Sequence, residues 1–275
     1  MATLSADVPT ETQTLVHYEV RDGVALFTLD DPPANTYTHE MMRQIDAAIL
    51  RARFDNTVDV IVITGKGDKF FCAGANINML QKADPTWKYY FCLHANETLL
   101  KLEHTPKLVI AALNGHTVGG GLEIAMAADL RIARRGAGKI GLPEVALGVL
   151  PGTGGTQRLT KLVGTSKAIE LMVQGNNLDF DQAAAMGIVN QVLETASRDA
   201  FVDEVMAYAK QFTRPNKATF AVGNIKRSCQ SGAELPLEQG LALERELQAL
   251  LFNSQDAKEG LNAYVEKRTP QFTGK

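Results

Sequence analysis

Residues 108–133 read Leu108-Val109-Ile110-Ala111-Ala112-Leu113-Asn114-Gly115-His116-Thr117-Val118-Gly119-Gly120-Gly121-Leu122-Glu123-Ile124-Ala125-Met126-Ala127-Ala128-Asp129-Leu130-Arg131-Ile132-Ala133. The first six are apolar without polar alternation, the pattern of a strand covered on both faces. Residues 121–128 read as a short buried helix, and 130–133 as the next strand. Strand, glycine turn, helix, strand implies a layered α/β core with mostly parallel pairing. Residues 60–64 form a second β-branched run of the same kind. Residues 15–20 and 24–29 flank Arg21-Asp22-Gly23 and predict a hairpin. Thr38 is placed to cap a helix on which Ile45, Ile49 and Ala52 share one face. Asp84-Pro85 supplies an N-cap and first helical residue for a helix reaching about Glu103. Past Ala196 the strand signals stop, and 201–212, 217–228, 236–252 and 255–268 all have helical character.

Composition narrows the functions available. A chain of 275 residues is long enough to bury a full core. The formal net charge of −3 argues against nucleic-acid binding through a broad basic face. Cys72, Cys92 and Cys229 are odd in number and lack CxxC spacing, so they fit small buried thiols in a reducing cytoplasm. Residues 1–14 are polar and acidic, unlike a signal or transit peptide, and are expected to be flexible. No stretch approaches the ~18 apolar residues that span a bilayer. The five histidines show no HxxxH or HExxH spacing, so no metal is expected. There is no GxSxG nucleophile elbow. Gly136-Ala137-Gly138-Lys139-Ile140-Gly141 matches GxGxxG, but Leu142-Pro143 follows where a dinucleotide site needs a helix.

Chemistry is suggested by two glutamates set in glycine-rich backbone. Glu123 closes the Gly119-Gly120-Gly121-Leu122-Glu123 run. Glu144 opens a segment ending in Pro151-Gly152-Thr153-Gly154-Gly155-Thr156. Upstream lies Phe70-Phe71-Cys72-Ala73-Gly74-Ala75-Asn76. Glycine and alanine leave main-chain N–H groups unshielded, so a developing oxyanion can approach them. Two carboxyls beside such a cradle suit proton transfer next to a polarised carbonyl. They are too far apart in sequence to share one helix face, so the fold must bring them together.

These three segments, with Tyr264-Val265-Glu266-Lys267-Arg268-Thr269-Pro270-Gln271-Phe272, resemble the enoyl-CoA hydratase/isomerase (crotonase) superfamily over residues 15 to 272. The resemblance implies an α/β fold, a spiral of ββα units over 15–196. It also implies a helical region, 197–275, that covers the site and packs subunits into a homotrimer or a hexamer. It implies an oxyanion hole from the N–H groups of Ala75 and Gly120. Glu123 would activate water and Glu144 would protonate the α-carbon of a 2-enoyl-CoA thioester. Retention of both glutamates favours a hydratase over an isomerase. Gly152 would offer its N–H at a helix N-terminus to the catalytic water or carboxylate. Coenzyme A, arriving as part of the substrate with no other cofactor, would meet Ala34, Asn35, Ala73, Lys267 and Arg268.

Two departures from the family pattern bear on that binding. Asn76 replaces a common aspartate, and Asn78 stands where many members carry a lysine near the adenine. Met79, Trp87 and Phe91, with Tyr90 beside them, would line the acyl pocket, although the same spacing suits ordinary core. Tyr37 is unusual beside the CoA loop. The rival readings are an isomerase or dehydratase of branched or cyclic acyl-CoA, and a non-catalytic RNA-binding protein.

Overall fold

The computed structural model describes residues 13–275. The expected flexible start, residues 1–14, lies outside the described residues except for Gln13 and Thr14. The chain begins with the hairpin β1 (Val16–Arg21) and β2 (Val24–Leu29), whose turn places Asp22 and Gly23 at φ 50° and 81°. Helix α1 (His39–Phe54) follows, and the Thr38 side chain accepts from the Met41 N–H as its cap.

The next three strand pairs repeat one plan. They are β3 (Val60–Gly65) with β4 (Phe70–Cys72), β5 (Leu108–Leu113) with β6 (His116–Val118), and β7 (Leu130–Arg134) with β8 (Ile140–Gly141). The first member of each pair joins a six-stranded sheet of order β1-β2-β3-β5-β7-β9, with β9 at Gln191–Leu193. The second joins a three-stranded sheet of order β4-β6-β8. Every pairing except β1–β2 is parallel. Helices return the chain after each pair: α2 (Ile77–Lys82) and α3 (Pro85–Glu103), then α4 (Gly120–Met126), then α5 (Gly155–Val163), α6 (Thr165–Gln174) and α7 (Phe180–Ala185). The result is a spiral of ββα turns.

Alternation along the strands builds two cores. Ile61, Ile63, Val109 and Ala111 face α1 and the helices of the spiral. Val60, Val62, Ile110 and Ile132 face Phe201, Val202 and Val205 of α8 (Arg198–Lys210). A strand buried on both faces has no place for polar alternation, which is why β3 and β5 are so uniformly apolar. Buried Asn114 joins the two sheets. Its Oδ1 accepts from Gly65 N–H (2.9 Å) and its Nδ2 donates to the carbonyls of Gly67 and Phe70.

Helices α9 (Thr219–Gly232), α10 (Leu237–Phe252) and α11 (Gln255–Glu266) complete the chain. Lys226 of α9 is anchored in the core by an ion pair of 2.9 Å with Asp129 at the start of β7. Desolvation pulls the lysine pKa down and pushes the aspartate up, each opposed by its partner's charge. On α10, by contrast, only Leu247 is buried. Among the described residues, no helix is long and apolar enough to cross a membrane.

Candidate active site

Two tight turns meet at the ends of β4 and β6. After β4 the chain turns at Gly74 (φ 88°), and after β6 at Gly119 (φ 57°). A side chain on Gly74 would sit 3.2 Å from the Gly120 nitrogen, so the two backbones touch. Gly119 needs its positive φ, and a Cβ there would also come within 3.0 Å of Glu144 Oε1. Gly121 serves packing: a methyl on it would overlap the Cys72 carbonyl of β4, so glycine lets α4 lie against that strand. Among the described residues, the N–H groups of Ala75 and Gly120 donate no hydrogen bond, while their neighbours Tyr37, Asn76, Gly119 and Leu122 do.

The two glutamates flank these amides in unlike surroundings. Glu123 lies in the first turn of α4 and is 2% exposed. Its Oε1 accepts from the N–H groups of Thr153 (2.8 Å) and Gly155 (2.7 Å), and its Oε2 accepts from the Thr153 hydroxyl. Three donors converge on it, a setting that suits a hydrogen-bond acceptor. Glu144 starts the 3₁₀ turn Glu144–Leu147, and its Oε2 is buried without a partner among the described residues. Burial pushes its carboxyl up to about 7, helped by the Glu123 charge and opposed by its own amide and Lys88. One acid is held by donors and the other is left with a free, desolvated oxygen.

The loop that grips Glu123 is itself braced. Arg158 of α5 makes a two-pronged pair with Glu103 of α3, both at 2.8 Å, and donates to the Thr153 carbonyl (3.1 Å). Gly152 does not contact either carboxylate. It packs toward Cys92 Sγ, and Thr153 and Gly155 supply the N–H groups that face Glu123. Sequence reasoning singled out Gly152 of this segment and did not foresee that Thr153 and Gly155 grip Glu123 or that Arg158 braces them. The hydroxyl of Thr153 beside three glycines was the signal available.

The remaining candidates divide. Ala34 and Ala73 are joined by an N–H to carbonyl bond of 3.1 Å, beside the Gly74 turn. Asn35 is buried and its side chain is spent on the fold, donating to the carbonyls of Lys66 and Phe70 and accepting from Asp31 N–H. Its side chain serves the fold, which leaves its backbone as the part that could face a ligand. Asn76 caps α2, accepting from Met79 N–H. Arg268 is engaged by Glu259 and Glu266, whereas Lys267 has no ion-pair partner among the described residues. No hydrogen bond or ion pair joins either to the glutamate pair.

In the predicted acyl pocket, Phe91 is 2% exposed and stacks on Tyr37 (5.7 Å) and on Trp87 (5.2 Å). Phe91 is thus part of the core. Met79 and Trp87 are half-buried against the same core, while Tyr90 points outward. Gly136–Gly141 forms a turn leading into β8 with no helix, so the dinucleotide pattern is incidental.

Known proteins resemble this chain in sequence and fold. The sequence profile of the family "Enoyl-CoA hydratase/isomerase" matches residues 19–275. The short-chain-enoyl-CoA hydratase of Clostridium acetobutylicum is 36% identical over 91% of this chain and 94% of its own length. The crotonyl-CoA hydratase of Syntrophomonas wolfei is 34% identical over 94% and 97%. Among solved structures, an enoyl-CoA hydratase of Geobacillus kaustophilus is 44% identical and superposes with a TM-score of 0.92, over 96% of this chain and 98% of that one. A family profile over residues 19–275 and relatives of 36% and 34% identity along nearly the whole length make this chain, a ββα spiral, a member of the enoyl-CoA hydratase/isomerase family.

Proposed function

We propose that the chain is a 2-enoyl-CoA hydratase, adding water reversibly across the 2,3 double bond of an acyl-CoA thioester, with Ala75, Gly120, Glu123 and Glu144 as its working groups. The thioester oxygen lies between the N–H groups of Ala75 and Gly120, which strengthen their hold as the enolate forms. Glu123, held by its three donors, takes a proton from water as the oxygen adds to the β-carbon. Glu144, whose carboxyl burial raises to about 7 so that a large share of it holds a proton at neutral pH, delivers that proton to the α-carbon. One C–O and one C–H bond form, the C=C π bond is lost, and no electron leaves the substrate. The reaction therefore needs no redox cofactor, and coenzyme A enters only as part of the substrate.

The observation that carries this reading is the meeting of the Gly74 and Gly119 turns, with one donor-bound acid and one desolvated acid beside them. Lys267, which has no ion-pair partner among the described residues, is the better candidate of its pair for a CoA phosphate. We also infer a homotrimer or hexamer, supported by the exposed Leu237, Phe252, Leu261 and Val265 on α10 and α11. A cytoplasmic setting is supported by the three free cysteines.

The test is loss of the conjugated-enoyl absorbance of crotonyl-CoA. Wild type should consume it, and Glu123→Gln and Glu144→Gln should each lower turnover by at least ~10²-fold. Near-normal turnover in either variant removes that residue from the mechanism. Double-bond migration in a 3-enoyl-CoA without hydration of crotonyl-CoA would favour an isomerase.

A further inference from the structure

Tyr37 borders the turn at Ala75, the Gly120 backbone and the Thr153 hydroxyl, and no role has yet been given to it. Its N–H donates to the Gly74 carbonyl (2.9 Å) and its own carbonyl accepts from Asn76 N–H (3.0 Å), so its backbone brackets Ala75 on both sides. The residue is 2% exposed, and the hydroxyl end of its ring lies against Gly120, where a methyl group would overlap it. Phe91 stacks on the ring from the α3 side, and Trp87 on Phe91. Its hydroxyl lies 3.3 Å from Thr153 Oγ1, the same oxygen whose proton goes to Glu123 Oε2.

With Glu123 ionised the order of donors is set. A carboxylate has no proton to give, so the Thr153 hydroxyl donates to it and its lone pair is left to accept. Tyr37 O–H is then the donor, in a chain from Tyr37 to Thr153 to Glu123. Burial and the Glu123 charge push the Tyr37 phenol well above its ordinary value, so it keeps its proton throughout the working pH range. A buried hydroxyl with one partner also has one preferred orientation, which restrains the Thr153 rotamer.

We propose that Tyr37 is a positioning residue for the hydration step: its ring fixes the Gly120 amide relative to Ala75, and its hydroxyl, acting through Thr153, aims Glu123. This rests on the hydratase reading and extends it to a residue that acts through Gly120 and Thr153. Its aim is turnover, not affinity, since its contacts are to groups that matter as charge develops.

The experiment is a double-mutant cycle with crotonyl-CoA, using Tyr37→Phe, which keeps the ring, and Thr153→Val, which keeps the backbone N–H. Tyr37→Phe should lower kcat by about tenfold with KM within about twofold, the size expected for one buried hydrogen bond. In Thr153→Val the further change Tyr37→Phe should have no additional effect, and Thr153→Ser should restore sensitivity to it. Multiplying effects in the double variant, or wild-type kcat in Tyr37→Phe, would overturn the proposal. A crystal structure of Tyr37→Phe decides independently of turnover. A changed Thr153 rotamer or a displaced Glu123 carboxylate supports the proposal, and unchanged positions of both refute it. Absence of hydration by wild type would instead defeat the functional reading, leaving the crystallographic comparison to judge Tyr37.

Discussion

Glu123 and Glu144 are chemically identical side chains placed in unlike surroundings. Two backbone N–H groups and a hydroxyl close on the first, while the second keeps a buried oxygen with no donor among the described residues. Desolvation raises Glu144 from its ordinary 4.5 to about 7. A carboxyl raised on folding binds its proton more tightly in the native state, so its contribution to stability is full below about 4.5 and is lost as pH rises through about 7. Glutamine mimics the protonated form without the titration. Thermal melts should therefore find Glu144→Gln more stable than wild type at pH 8, with the gap closing by pH 5. An equal gap at both pH values would contradict the burial argument. Catalysis has the same sign: hydration by wild type should decline on the alkaline side with a midpoint near 7, as the proton donor is lost.

The site is held by elements more than by contacts between its own groups. Helix α4 brings Glu123 in its first turn, and α5 begins at the loop that grips it. Helix α3 contributes twice, through Phe91 behind Tyr37 and through Glu103 paired to Arg158. Its start depends on Asp84, whose side chain accepts from Trp87 N–H, with Pro85 as the first helical residue. Asp84→Ala should cost about 1 kcal/mol in chemical denaturation, the usual size of a lost N-cap. Because the cap lies a full turn and more from Phe91, kcat should change little. A fall in kcat matching that of Tyr37→Phe would mean that α3 transmits its first turn to the site.

Two surfaces of the molecule are handled in opposite ways. Helix α8 covers the outer face of the six-stranded sheet and buries Phe201, Val202, Val205 and Ala209 there. The later helices leave large apolar side chains in the open, with Leu237 at 78% exposure and Val265 at 79%. A single water-soluble chain gains nothing from leaving so much apolar surface on adjoining helices, whereas a neighbouring copy would cover it. Light scattering should find a particle of three or six times the 29.8 kDa chain mass. Replacing Leu261 and Val265 together by lysine should shift it toward lower mass. A wild-type monomer at micromolar concentration would reject the assembly.

What the sequence determined by itself is local and repetitive. Uniformly apolar runs became strands buried on two faces, Thr38 and Asp84 capped the helices they were expected to cap, and the end of strand signals after Ala196 became an all-helical tail. Those features depend on side chains a few residues apart, so one stretch of chain carries all the information. The resemblance in three glycine-rich segments pointed to the family because such backbone tolerates few alternatives. Tertiary structure decided the rest. Thr153 and Gly155, not Gly152, hold Glu123, because the loop's path is set by Arg158 and Glu103 from a distant helix. Asn35 became a structural pin, since the carbonyls of Lys66 and Phe70 reach its amide only in the folded spiral. Tyr37 gained its place between Gly120 and Thr153 in the same way. A carboxyl's proton affinity depends on neighbours tens of residues away in the chain and a hydroxyl's direction on one 116 residues away, and only the closed fold brings them together.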